Sequence, residues 1–267
     1  MVLVTDLQFS MDSYLVDNLN IAKDVIKNDW DFCFIVGGIE GSGKSTLAQQ
    51  CAYYCDPTFN MSRITFTPME FEAAILKADK YQAIVYDEAY TGLSSRGVMT
   101  GINKSIVNRL AEIRQKNLFL FVVMPTFFDL DRYVAIWRSR ALIHIYTGED
   151  WSRGFYEFYN VERKKNLYLT GKKLYHYDKD LRNFWGTFSR RYVVDELEYR
   201  NRKLQAMNSP KTSKEDMKFA YALKVICRMS SQSEASNLLH DAGYDVTQER
   251  ISQILNNLDS FRGKLTI

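Results

Sequence analysis

Apolar residues in the first 150 positions form short runs with helical stretches between them. Four runs have the length of buried strands, and a shorter strand is predicted as well: 31–36, 82–86, 118–124, 141–146 and, for the shorter one, 63–66. Helices are predicted between and before them at 12–28, 45–54, 67–78, 102–116 and 129–138. This alternation predicts an α/β fold with a mainly parallel sheet covered by helices on both faces.

The pattern changes after residue 150. Aromatic and charged residues alternate over 155–177, which predicts antiparallel strands with tight turns, and a helix is predicted at 194–207. A polar stretch at 208–213 has the composition of a linker, and three helices are predicted beyond it, at 214–229, 233–239 and 247–257. The predicted organisation is an α/β domain at 1–150, a small β-rich basic extension at 151–207, the linker, and a helical domain at 214–267.

Composition is that of a globular protein, with 46% hydrophobic and 25% charged residues. The longest apolar run, at 118–124, is too short to span a bilayer, and no signal peptide is recognised, so we expect a cytoplasmic protein without a membrane partner. We expect the four cysteines to be buried reduced thiols, and with only three histidines a zinc site is not expected. The cysteines are Cys33, Cys51, Cys55 and Cys227.

A phosphate-loop motif lies between the first predicted buried strand and the helix that follows it. Residues 38–46 read GIEGSGKST, which matches G-x-x-x-x-G-K-[ST]. The glycines let successive backbone N–H groups surround phosphate oxygens, and the helix N-terminus adds partial positive charge. Lys44 is predicted to reach the β- and γ-phosphates, and Ser45 to bind Mg²⁺. The predicted nucleotide-binding residues are Gly38, Glu40, Gly41, Ser42, Gly43, Lys44, Ser45 and Thr46.

An acid pair ends the strand at 82–86. Asp87 and Glu88 would lie at the carboxyl edge of a parallel sheet, where ligands bind in such folds. We predict that Asp87 holds Mg²⁺ and that Glu88 is the general base for the attacking water. Solvated acids after a strand are common, but the phosphate loop upstream favours the catalytic interpretation and ATP hydrolysis.

The two motifs together resemble the additional-strand division of P-loop ATPases. Within it, the segment 106–145 is similar to FtsK/HerA translocases and viral genome-packaging ATPases, which implies a RecA-like sheet and a homo-oligomeric ring. The resemblance implies an arginine finger, for which Arg114 is the first choice; Arg109, Arg138 and Arg140 are alternatives. Many relatives end the fourth strand with a polar sensor, often Gln, whereas here Thr126 is the candidate.

Basic residues are concentrated at 151–205, where thirteen Lys and Arg stand against seven Asp and Glu, while the whole chain nets +3. Lysines attract phosphates and exposed aromatic rings stack on bases, so this region is a candidate DNA-binding surface. The alternative is a small sheet with inward aromatics and solvated charges. The candidate DNA contacts flank a predicted hairpin turn: Lys164, Lys165, Lys172 and Lys173.

The helical domain carries a second candidate DNA-binding element. A glycine-containing turn at 241–244 separates two predicted helices, 233–239 and 247–257, which is typical of a helix-turn-helix. The polar face of the second helix suits base edges or phosphates and offers Gln248, Arg250 and Gln253. The same packing serves protein interaction modules or ring assembly, and that alternative stays open.

These features favour an ATP-hydrolysing DNA translocase or genome-packaging ATPase of a virus or mobile element, acting on duplex DNA with ATP and Mg²⁺. Its setting would be the cytoplasm, that of a host if the protein is virus-encoded, with a capsid or replication protein as a further partner. A replication initiator, helicase loader or partition factor with site-specific DNA binding is the alternative. A small-molecule kinase is a third hypothesis, but it gives the chain after residue 150 no role.

Overall fold

The computed structural model describes residues 2–4, 9–87, 113–208, 231–241 and 247–263. The chain forms two compact units, Met1–Asn208 and Ser209–Ile267. The first unit opens with a two-stranded antiparallel ribbon, β1 (Val2–Val4) and β2 (Phe9–Met11). The rest of this unit is built around one larger sheet.

That sheet has seven strands in the order β4-β5-β6-β3-β7-β8-β9. The strands are β3 (Phe32–Gly38), β4 (Ile64–Thr65), β5 (Ala83–Tyr86), β6 (Phe119–Met124), β7 (Ala141–Tyr146), β8 (Phe155–Tyr159) and β9 (Phe184–Thr187). The five strands from β4 to β7 in this order pair in parallel, and β8 and β9 are added antiparallel at one edge. The predicted parallel α/β sheet is confirmed.

Five helices of the first unit are described. They are α1 (Ser13–Lys27), α2 (Lys44–Cys55), α3 (Pro68–Lys77), α4 (Val161–Gly171) and α5 (Glu196–Asn208). Helix α3 begins with the capping box that its sequence predicts, because Thr67 accepts the Glu70 N–H at 3.2 Å and Glu70 reaches back to the Thr67 N–H.

Every residue of β3 and β6 is buried, because helices cover both faces of the sheet. Alternate side chains of β3 enter two separate cores. Phe34 packs with residues of α1 and α2 on one face, whereas Ile35 packs with residues of α3 and α4 on the other. The two-sided burial explains why these strands are continuous apolar runs in the sequence. Three of the cysteines, Cys33, Cys51 and Cys55, are buried free thiols.

The structure differs from the sequence prediction over 155–177. Residues 155–159 form β8, but 161–171 form helix α4, whose first turn is capped by the Asn160 side chain accepting from the Arg163 N–H at 3.0 Å. Its buried positions, Lys164, Leu167, Tyr168 and Gly171, recur with helical spacing. The predicted helix at 129–138 is instead a 3₁₀ turn (Phe127–Asp129) and a π-helical turn (Val134–Arg138).

The predicted boundary at residue 150 does not appear in the structure. Strand β8 pairs with β7 over five residues and β9 pairs with β8, so both continue the central sheet. The first unit accordingly extends to Asn208.

The second unit contains α6 (Gln232–Asp241) and α7 (Gln248–Gly263). Ala235 of α6 and Ile251 of α7 are buried against each other's helices. The predicted helix at 214–229 and most of the turn at 241–244 lie outside the described residues. The helix-turn-helix assignment therefore stays a prediction.

Candidate nucleotide-binding site

The phosphate loop lies where the sequence motif predicts it, between the end of β3 and the start of α2. Its three glycines have positive φ angles: 148° at Gly38, 74° at Gly41 and 105° at Gly43. A side chain on Gly38 would also collide with the backbone carbonyl of Ile145. The Gly38 N–H donates to the Pro125 carbonyl at 3.2 Å, which ties the start of the loop to the end of β6. The glycines are therefore needed for the path of the loop as well as for access to phosphate.

Helix α2 begins directly after this loop and has no side-chain cap at Gly43. A helix N-terminus without a side-chain cap is suited to binding an anion. The Lys44 ammonium donates to the Ile39 carbonyl at 2.8 Å and so lies across the loop. The charge of the Lys44 side chain and the partial positive charge of the α2 N-terminus therefore both lie at the phosphate loop, as triphosphate binding requires.

Asp87 meets Ser45 although 42 positions separate them in the chain. The Ser45 hydroxyl donates to Asp87 Oδ1 at 3.1 Å, and the carboxylate is 1% exposed. The Asp87 N–H donates to the Thr65 carbonyl at 2.8 Å, which fixes the backbone at the end of β5. Because β5, β6 and β3 are parallel, their carboxyl ends share one edge of the sheet.

A hydroxyl and a carboxylate oxygen at this separation are a donor pair that suits Mg²⁺, which prefers oxygen ligands and keeps several of its ligands as water and phosphate. Ser45 and Asp87 would hold the ion. That these two residues bind the metal is an expectation that follows from the chemistry of their oxygen donors.

Two further residues reach Asp87 from α5, and the sequence analysis did not find either. The Tyr199 hydroxyl donates to Asp87 Oδ2, and the Lys203 ammonium lies 3.4 Å from the same oxygen. Burial and then the Asp87 charge raise the pKa of Tyr199, so its hydroxyl stays protonated and donates. No local pattern signals these contacts, because the partners are more than 100 positions apart.

The chain after β7 also covers the phosphate loop. The Arg153 guanidinium lies 3.8 Å from the point that a side-chain carbon on Gly41 would occupy, and the Phe188 ring lies 3.0 Å from the equivalent point on Gly43. Gln50 of α2 donates to the carbonyls of Ser189 and Arg191 at 2.9 and 2.7 Å, which holds this segment on α2. Arg153 brings a positive charge to the loop that the sequence motif does not include.

Thr126, the candidate sensor, lies two residues after β6 and caps the 3₁₀ turn Phe127–Asp129. Its hydroxyl is 3.3 Å from the Tyr177 hydroxyl, which accepts the Phe127 N–H at 2.9 Å. Tyr177 stacks on His144 with 3.5 Å between ring centroids, and burial lowers the pKa of His144 to about 3. Thr126 is thus part of an ordered polar contact next to the phosphate loop, and sensing by it stays a prediction.

These contacts do not test the predicted catalytic base or the first-choice arginine finger. Glu88 and the alternative finger Arg109 lie outside the described residues, as does the side chain of Arg114.

Arg138 is wrong as a finger candidate, and Arg140 has structural partners as well. Arg138 is buried in an ion pair with Asp31. Arg140 donates to the Asp31 carbonyl at 3.0 Å and lies over the Trp30 ring. Both pairs lie at the amino ends of β3 and β7, at the edge of the sheet opposite the phosphate loop, so a structural role accounts for both arginines.

Lys164 is wrong as a DNA contact. It is fully buried, and its ammonium donates to the carbonyls of Ala135 and Ile136 at 2.7 and 3.1 Å. Burial lowers its pKa to about 8. The predicted hairpin tip does not exist either, because Lys164 and Lys165 lie within α4 and Lys172 caps its end.

The other candidate DNA contacts are more accessible. Lys165 lies over the Trp137 ring, Lys172 lies over the Tyr168 ring and contacts its hydroxyl, and Lys173 is exposed. In the second unit Gln248, Arg250 and Gln253 are exposed, and Arg250 donates to Gln253 at 3.2 Å. DNA binding by these residues stays a prediction.

Replacing Lys164 by methionine is expected to lower the free energy of unfolding by about 1–3 kcal/mol, because the Ile136 carbonyl would lose its buried donor. Chemical denaturation measures this change. Lys173→Met removes the same charge from an exposed position and is the matched control, with little expected change. Equal unfolding free energies for the two variants would contradict the structural role of Lys164.

The phosphate loop lies between β3 and α2, and β6 separates β5 from β3 in the parallel sheet. This is the arrangement that the resemblance to additional-strand P-loop ATPases predicts. No family model matches the chain, and no curated protein matches it. Among the described residues, no helix has the length and apolarity needed to cross a membrane.

Solved structures give low-scoring similarities. The chain is similar to the genome packaging NTPase B204 from Sulfolobus turreted icosahedral virus 2 in complex with ATP-gammaS, with 17% identity and a TM-score of 0.36 over 51% of this chain and 95% of that one. It is also similar to the N-terminal domain of zonular occludens toxin from Neisseria meningitidis, with 16% identity and a TM-score of 0.39 over 64% of this chain and 98% of that one. Scores of this size do not establish a function.

Proposed function

We propose that the protein is an ATP-hydrolysing nucleic-acid motor, a DNA translocase or genome-packaging ATPase that works as an oligomer. The observation that carries the proposal is the contact between Ser45 of the phosphate loop and the buried Asp87, which directly follows β5. That contact supports a site for a metal-bound triphosphate rather than a glycine-rich turn that only caps a helix.

Each residue has a distinct task in the proposed reaction. The loop N–H groups and the α2 N-terminus bind phosphate oxygens, and Lys44 offsets charge on the β- and γ-phosphates. Mg²⁺, when bound, would neutralise charge that develops on the phosphates. Glu88, which follows Asp87 directly, would orient and deprotonate the attacking water. Arg153 would add a positive charge in cis, next to Gly41.

The exposed basic side chains of the first unit support coupling to DNA. Several of them lie in the segment 151–205, which has a net positive charge. A polyanion such as DNA would be attracted to these side chains through release of counterions. They are Arg163, Lys173, Lys179, Arg190 and Arg191. Arg190 and Arg191 lie in the segment that Gln50 holds on α2, so a bound strand there would lie next to the nucleotide site.

Duplex DNA is expected to raise the rate of ATP hydrolysis, and a steady-state phosphate-release assay with and without DNA measures the effect. Heparin at equal charge is the control, because a motor should respond to the duplex and not to charge alone. An Arg190→Ala, Arg191→Ala double variant is expected to need more DNA for half-maximal stimulation. Rates that DNA leaves unchanged would reject the motor and leave nucleotide binding intact.

A ring in which Arg114 acts on the neighbouring subunit predicts rescue by mixing. Arg114→Ala and Glu88→Gln subunits, each inactive alone, are expected to regain some turnover when combined, since mixed interfaces pair an intact base with an intact arginine. Phosphate release across a range of mixing ratios measures the recovery. Absence of recovery at every ratio, in mixtures shown to co-assemble, would contradict a trans role for Arg114.

A further inference from the structure

The two oxygens of the Asp87 carboxylate face different parts of the molecule. Oδ1 accepts from the Ser45 hydroxyl at 3.1 Å, on the side of the phosphate loop. Oδ2 accepts from the Tyr199 hydroxyl and lies 3.4 Å from the Lys203 ammonium, on the side of α5. Both carboxylate oxygens therefore have a donor, and Oδ1 is the oxygen that contacts Ser45, the other proposed metal ligand.

Helix α5 presents both donors from one face, because residues four apart lie one turn above each other. The helix is anchored close to the site. The Tyr199 side chain is buried, with ring centroids 5.7 Å from Phe66 and 5.4 Å from Tyr192. Arg202 donates to the Met61 carbonyl at 2.8 Å. These contacts fix the position of the Tyr199 hydroxyl independently of Asp87.

A metal ligand works best when a second group fixes its orientation, and such partners typically change metal affinity when they are removed. A buried carboxylate that loses such a partner loses a buried hydrogen bond and part of what fixes its orientation. Tyr199 supplies a neutral donor, and Lys203 supplies a positive charge that offsets the buried negative one. Their joint effect is to keep Oδ1 facing Ser45.

We propose that Tyr199 is a positioning residue of the metal–nucleotide site, which orients Asp87 for Mg²⁺ with support from Lys203. The proposal rests on the proposed function, since it assigns Asp87 to the metal. It makes α5 a part of the ATPase site, although its residues follow the last strand of the sheet and belong to none of the ATPase sequence motifs.

Tyr199→Phe tests the proposal, because it keeps the buried ring and removes only the hydroxyl. At a fixed concentration of a fluorescent ATP analogue, the Mg²⁺ concentration for half-maximal binding is expected to rise about 10–100-fold. Tyr192→Phe is the matched control, because Tyr192 is half-buried and its ring lies 5.4 Å from that of Tyr199, so the change likewise keeps the ring and removes one hydroxyl. The control is expected to bind Mg²⁺ and nucleotide as the parent does.

A double-mutant cycle separates positioning from a general packing effect. If Tyr199 acts through Asp87, Tyr199→Phe is expected to have no further effect on Mg²⁺ dependence in an Asp87→Asn background. A purely structural role would give losses of Mg²⁺ affinity that add in the double variant, and additive losses would overturn the proposal.

The same titrations distinguish this failure from failure of the proposed function. If parent binding does not depend on Mg²⁺, or if Asp87→Asn leaves that dependence unchanged, the metal site itself is wrong. If Asp87→Asn weakens the dependence and Tyr199→Phe does not, only the role of Tyr199 is wrong.

Discussion

Replacing Lys44 by alanine is expected to lower ATP turnover by about 10²–10³-fold, the usual effect of removing one preorganised electrostatic donor. The ammonium lies across the phosphate loop on the Ile39 carbonyl, so its charge is already placed where the β- and γ-phosphates would bind. The loop path itself depends on the three glycines, and we expect the variant to fold normally. Phosphate release and binding of a fluorescent ATP analogue measure the two parts of the effect.

Lys27→Ala is the control for this change. It removes one positive charge from the last turn of α1, at the edge of the sheet opposite the phosphate loop, where Lys27 forms an exposed ion pair with Asp24. Turnover and binding should match those of the parent. If the Lys44 variant hydrolyses ATP at the parent rate, the loop does not act as a phosphate site.

Replacing Glu88 by glutamine is expected to lower turnover by about 10²–10⁴-fold while nucleotide binding persists. The amide keeps the size of the side chain but cannot take a proton from water. Asp87, one position earlier, points to Ser45, so a metal-bound nucleotide should still occupy the site. Single-turnover hydrolysis and equilibrium binding measured on the same sample separate the two properties.

Glu162→Gln makes the same chemical change in the first turn of α4, at the opposite edge of the sheet, and should not alter turnover. The Asp87→Asn variant should differ from Glu88→Gln by requiring more Mg²⁺ for binding. Turnover of Glu88→Gln close to the parent rate would remove Glu88 as the base, and with it the main argument for hydrolysis over transfer to a small acceptor.

The parts of the site that depend on neighbouring residues were predictable. The glycines and Lys44 of the phosphate loop occupy consecutive positions, and the strand before and the helix after them have strong local patterns. The order of strands was implied by the resemblance to additional-strand ATPases, and the structure confirms that β6 separates β5 from β3. Asp87 and Ser45 then meet because parallel strands end at one edge.

The predictions failed where two periodicities compete. Over 161–171 aromatic and charged residues alternate closely enough to suggest strands, yet Lys164, Leu167 and Tyr168 fall on one face of a helix. Lys164 was assigned to the surface because lysine is normally exposed, and only the neighbouring π-helical turn explains its burial. Arg138 and Arg140 were similarly candidates by chain position, and Asp31 gives them a structural role.

The sequence by itself determined the phosphate loop and the α/β class, because the loop motif and the fully buried strands are each encoded in contiguous residues. Only the tertiary structure decided that the chain continues the sheet beyond residue 150, that Lys164 is internal, and that Tyr199 and Lys203 hold Asp87. Such contacts join side chains far apart in the chain, and their geometry depends on how whole elements pack, which no local pattern of residues encodes.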